Sequence, residues 1–141
     1  MERYRILPHA ADGKFRAFGR TLEEAFANAA LATASFMWEW DKVAPARAEA
    51  VDLRGRDPEQ LLYRFLEEIL YLFETRRFVL AAVEGVVIEP APEGRRLRAV
   101  FRGDELGSAT GLHGEVKAIT YNEMRIEEDC GGWMIQVVVD L

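Results

Sequence analysis

Residues 57–89 read DPEQLLYRFLEEILYLFETRRFVLAAVEGVVIE, and a change of hydrophobic period inside this stretch decides the fold. Up to Arg76 the apolar residues Leu61, Leu62, Phe65, Leu66, Ile69, Leu70, Leu72 and Phe73 recur at helical spacing. Asp57 is a good N-cap, and Pro58 suits the first helical position, where its missing N–H is not needed. The apolar positions cover more than half the helix circumference, so this helix is either buried on two sides or carries a partner surface. From residue 77 the pattern turns to strands. RFVLAAVEGVVIE (77–89), RRLRAVFRG (95–103), EVKAITYNEMRIEE (115–128) and GWMIQVVVDL (132–141) are rich in Val, Ile, Phe, Tyr and Trp. APEG (91–94) and CGG (130–132) read as hairpin turns.

Working back towards the N-terminus, AEAVDLRG (48–55) is a short strand. TLEEAFANAALATASFMWEW (21–40) is predicted to be the first helix, with Thr21 as N-cap and Glu24 completing a capping box. Leu22, Ala25, Phe26, Ala29, Ala30, Thr33, Phe36 and Met37 form its buried stripe. YRILPH (4–9) and KFRAFG (14–19) are strands around a turn running from Pro8 to Gly13. Strands and helices are segregated rather than alternating. The expected fold is α+β: a largely antiparallel β-sheet packed against two α-helices, in a single domain over 1–141.

With 141 residues the chain is long enough for one substantial core. Half of it is hydrophobic and 30% is charged, the balance of a globular chain. Apolar stretches such as ALATASFMW (30–38) fall well short of the roughly 20 residues of a membrane helix. The start MERYRILPH has no apolar signal core, and the single Cys130 forms no disulfide within the chain; both fit a cytoplasmic setting. A net charge of −6 argues against unaided nucleic-acid binding, which calls for a basic patch. The acidic balance serves solubility or docking to a basic partner, and composition leaves both open.

The chain has no second cysteine for a zinc pair, no phosphate-binding loop and no nucleophile elbow, and its only histidines are His9 and His113. Three features remain. In LPHAADGKF (7–15), His9, Asp12 and Gly13 interrupt a strand pattern. In IQVVVDL (135–141), Asp140 follows a valine run. A carboxylate there is solvated, hydrogen-bonded or bound to a cation. Asp12 is equally a turn aspartate bonding its own backbone, and His9 a structural histidine. Together the two aspartates offer oxygen ligands to a hard cation. At 4 Å two carboxylates repel by roughly 1 kcal/mol in water and about 4 at an effective dielectric near 20, a term that a divalent ion reverses. In GEVKAITYNEM (114–124), strand parity puts Val116, Ala118 and Met124 on one face. It puts Glu115, Lys117, Tyr121 and Glu123 on the other. That second face is either a half-exposed surface with cross-strand ion pairs or a functional one.

At these stretches the chain resembles the archease family over nearly its whole length, most specifically in EVKAITY (115–121). The resemblance implies a small protein that is not itself an enzyme. It would assist RtcB-type RNA ligases, which use GTP and manganese to join RNA ends in tRNA splicing and repair. It implies faster ligase guanylylation and restoration of the ligase for further turnovers. It also implies a divalent cation, calcium, held by Asp12 and Asp140, and contact with the ligase through Lys117, Glu115, Tyr121 and His9. RNA would be met only through the ligase, and Gly13 would let the turn close around Asp12. The family usually has Thr where Ala10 stands, and often His where Asn122 stands. Two other readings of the residues are a small metal-dependent phosphate-processing enzyme using Asp12 and Asp140, and a chaperone-like module using the apolar second helix.

Overall fold

The computed structural model describes residues 1–9, 11–107 and 111–141, so Ala10 lies outside the described residues. The element order is β1 (Tyr4–Leu7), β2 (Gly13–Gly19), α1 (Leu22–Ser35), a 3-10 turn (Trp40–Lys42), β3 (Arg47–Gly55) and α2 (Pro58–Arg76). There follow β4 (Phe78–Ala91), β5 (Gly94–Glu105), β6 (Ala118–Ile119), β7 (Arg125–Asp129) and β8 (Gly132–Asp140). Strands form two antiparallel sheets rather than one. The first runs β1-β2-β8-β6, with β7 also paired to β8, and the second runs β3-β5-β4.

Both helices start as their caps dictate. The Thr21 hydroxyl accepts from the Glu24 N–H at 3.1 Å, and Glu24 accepts from the Arg20 N–H at 3.1 Å. Asp57 accepts from the Gln60 N–H at 2.8 Å, with Pro58 in the first turn. The helices lie between the sheets: α1 touches β2 and β8 on one side and β4 on the other, while α2 touches β3, β4 and β5 and also β6 and β7. This is why α1 is alanine-rich and buried all round, and why the apolar face of α2 is so broad. Leu61, Leu62, Phe65, Leu66 and Ile69 are all in the core, joined to Phe26 and Phe101 through the ring of Phe65. The apolar circumference of α2 is therefore used inside the molecule. Among the described residues no helix is long and apolar enough to cross a membrane.

Two expectations are corrected. The first helix stops at Ser35, not Trp40. The N–H groups of Phe36 and Met37 donate three residues back, to Thr33 and Ala34, and the chain then leaves the helix axis. That departure lets Trp38 enter the core, where its indole N–H donates to the Leu80 carbonyl at 2.9 Å and its ring stacks on Phe73. Trp40 instead donates to the Tyr4 hydroxyl. A continuing helix could not place both indoles this way. The second correction concerns 115–128, which is not one strand. Ala118–Ile119 pairs with β8, a turn follows in which the Met124 N–H donates to the Tyr121 carbonyl, and β7 begins at Arg125. Glu123 sits at the turn in the left-handed region, φ 55°, so parity does not carry across it.

Candidate functional site

The opening and closing motifs meet at one end of the first sheet. The β2–β8 ladder ends at Gly13 opposite Val139, and the same register one residue further sets Asp12 opposite Asp140. On the other flank of β8, Ala118 pairs with Asp140, and the Lys117 N–H donates to the Asp140 carbonyl at 2.7 Å. Asp140 thus stands between the turn that carries Asp12 and the segment that carries Lys117. Asp12 is half-buried, whereas Asp140 and Lys117 are exposed. Among the described residues Lys117 has no carboxylate within ion-pair distance.

Gly13 has a different role from the one expected. The left-handed residue of the opening turn is Ala11, φ 65°. Gly13 is required for packing, since a Cβ there would stand 2.7 Å from Phe36 Cε1 and 2.8 Å from Val139 Cγ2.

The remaining candidates separate. His9 belongs to the tip: Nδ1 is buried, has no hydrogen-bond partner among the described residues and is 3.7 Å from Asp12 Oδ2, while Nε2 is 3.1 Å from Glu123 Oε2. Glu115 is exposed and faces a cavity of about 330 Å³ against Leu70, Phe73 and Glu74 of α2. Tyr121 stacks on Tyr63 of α2, centroids 4.5 Å apart and planes 11° from parallel, and stays 48% exposed. Val116 is buried and Lys117 exposed, as parity predicted for that part of the segment.

Sequence reasoning treated Glu123 only as a possible partner in cross-strand ion pairs, and the structure makes it a junction. Its carboxylate accepts from Lys14 Nζ at 3.0 Å as well as meeting His9. Its carbonyl accepts from Gln136 Nε2 at 2.9 Å, and Gln136 Oε1 accepts from Arg16 Nε at 3.0 Å. Lys14 and His9 together hold the Glu123 carboxyl below its ordinary value, through hydrogen bonds to the charged form and then through charge. The sequence did hold a signal: Gln136 interrupts the apolar run of the last strand.

Two carboxylates beside a main-chain turn form an oxygen donor set of the kind hard cations take. Among the described residues no group of three or more His, Cys, Asp or Glu side chains is gathered to hold a metal ion as it stands. The fit of a cation here thus rests on Asp12 and Asp140, with main-chain oxygens or water completing the shell.

The fold defines the class: a single α+β domain whose two helices lie between two antiparallel sheets, with Asp12, Asp140 and Lys117 brought to one sheet end. The chain belongs to the archease family: residues 4–141 match the Archease protein family (MTH1598/TM1083). It is 42% identical to protein archease of Thermococcus gammatolerans, with both chains covered completely. It is 39% identical to protein archease of Pyrobaculum neutrophilum, over 98% of this chain and 95% of that one. The solution structure of Methanobacterium thermoautotrophicum protein 1598 superposes with a TM-score of 0.85 at 31% identity, over the whole of both chains. A crystal structure from Thermotoga maritima, described as "an archease, possible chaperone", shares the fold with a TM-score of 0.58 at 17% identity.

Proposed function

We propose that this protein activates an RtcB-type RNA ligase, promoting its guanylylation and its repeated turnover through an acidic, cation-bearing tip. The observation that carries this reading is the convergence of Asp12, Asp140 and Lys117 at one sheet end, since the motifs that suggest ligase activation are far apart in sequence. Asp12 and Asp140 would hold a divalent cation, calcium, which when bound supplies the positive charge that offsets their repulsion. Lys117 sits at a strand end fixed through its own N–H, and among the described residues its ammonium has no carboxylate within ion-pair distance. Its role is to meet an anionic group on the ligase or on its bound nucleotide. Tyr121 and Glu115 extend the contact surface. RNA is reached only through the ligase, and the setting is cytoplasmic.

A protein partner also agrees with the description of the Thermotoga relative as "possible chaperone". The feature that suggested a chaperone-like role from sequence, the broad apolar face of α2, lies in the core here, so a client surface would have to be elsewhere. For the enzyme reading, the base that the described residues place beside Asp12 is His9, and its ring is already engaged by Glu123 at 3.1 Å. The test is to incubate the purified protein with GTP and RNA ends alone, then with a cognate ligase and manganese. Stimulation of ligase guanylylation without intrinsic turnover supports the proposal. Intrinsic turnover supports the enzyme, and suppression of unrelated aggregation supports the chaperone.

A further inference from the structure

On the face of the first sheet turned away from the helices, β8 should be open to water. Lys14 and Arg16 of β2 share that face with Val138 and Gln136, their ladder partners. Yet Val138 is only 2% exposed and Gln136 only 3%. They are covered by a polar roof. Glu123 reaches across β8 to Lys14 and His9, and Arg16 bonds Gln136, which bonds the Glu123 main chain. Lys14 is only 16% exposed, so its ammonium depends on that carboxylate. The same carboxylate reaches the ring of His9, whose other nitrogen is buried facing Asp12.

We infer that Glu123 is a positioning residue: it latches the opening turn onto the β6–β7 turn and, through His9, sets the pose of the Asp12 carboxylate. The two motifs that flank Asp140 are then one mechanical unit, because the latch closes over the strand that carries it. Glu123 adopts a left-handed backbone at the tip of its turn, held by the Gln136 amide, which aims its side chain across the sheet instead of along it. A residue behind a cation ligand that fixes its orientation typically changes affinity by about 10–100-fold when lost. The consequence for Asp12 rests on the reading above that Asp12 takes a cation; the latch itself does not.

The test uses the isolated full chain. Amide hydrogen exchange of His9, Ala11, Asp12 and Gly13 is measured by NMR without metal, and calcium binding is measured by calorimetry. Glu123→Ala is expected to speed exchange in the turn about tenfold or more and to weaken calcium about 10–100-fold. Its melting temperature should fall by several degrees, because Lys14 loses the carboxylate it is paired with, while the chain stays folded. Glu84→Ala is the control: it removes an exposed acid bonded to Arg102 on the far sheet and should change neither readout. If Glu123→Ala unfolds, Glu123→Gln decides, since it keeps the length and one acceptor oxygen but loses the charge that serves both partners. The expected result there is the same pair of changes, at least threefold each. Wild-type exchange in the folded variant overturns the latch. Faster exchange with unchanged calcium affinity overturns the claim that it sets Asp12. If the parent chain binds no calcium at all, the cation reading fails, and the exchange data still decide the latch.

Discussion

At the scale of single residues, Gly13 shows how a position can be marked by sequence for the wrong reason. A glycine after an aspartate suggests a turn residue, yet the turn places its positive φ on Ala11. Gly13 is fixed by Phe36 and Val139 pressing on the space where a Cβ would go. Gly13→Ala should therefore cost about 1–3 kcal/mol through overpacking, read as a drop of several degrees in the melting temperature. An unchanged melting curve would show that Phe36 yields freely. The aspartates lead to a different expectation. Asp12→Ala and Asp140→Ala should each abolish calcium binding in a calorimetric titration while the fold persists, because both lie at the sheet end and outside the core. Unchanged affinity in both variants would remove the cation from the account. Lys117→Met keeps most of the apolar stem and should melt near the parent, since exposed lysines contribute roughly 0–1 kcal/mol. It should nevertheless stimulate ligase guanylylation far less, and normal stimulation would reduce Lys117 to a surface residue.

At the scale of elements, the caps and periods were legible and the interruptions were not. Asp57 and Pro58 mark the start of α2 correctly, and Asp57→Ala should cost about 1 kcal/mol, measured by thermal or denaturant unfolding. The early end of α1 was hidden because Phe36 and Met37 continue the helical spacing. What stops the helix is tertiary: Trp38 finds a buried partner in the Leu80 carbonyl. The break after β6 was hidden in the same way, as nothing in TYNEM announces a left-handed Glu123, which the Gln136 amide holds there. That latch has a pH signature. Glu123 is held below its ordinary value of 4.5 by Lys14 and His9. A depressed carboxyl stabilises the fold above its ordinary range, and the contribution fades as pH falls through the lowered value. Protection of the opening-turn amides should therefore drop as pH is taken below 4.5, and Glu123→Gln should lack that step. A step of equal size in the variant would assign it to other groups.

For the whole molecule, the sequence announced an α+β fold with antiparallel strands. It did not announce that the strands divide into two sheets with the helices between them. The division follows from a quantity no single stretch contains, namely how much apolar helix surface needs covering. α2 is apolar over more than half its circumference and α1 is alanine-rich on all sides, so one sheet could not bury both. The candidate site was legible as three motifs and not as a place. Only the register, in which Gly13 pairs with Val139 one residue short of the two aspartates and Ala118 pairs with Asp140, brings them to one sheet end. A net charge of −6 adds a molecular-scale expectation: the isolated protein should show little RNA binding at physiological salt in a gel shift, because it releases few counterions. Tight, salt-sensitive binding would mean that RNA is met directly.

The central claim is ligase activation, and its most direct measurement is single-turnover guanylylation of a cognate RtcB-type ligase with GTP and manganese, with and without this protein. The account predicts a faster rate with the parent chain, and a rate close to that of the ligase alone with folded Asp12→Ala, Asp140→Ala or Lys117→Met. An equal rate with and without the parent chain would contradict it, as would full stimulation by all three variants.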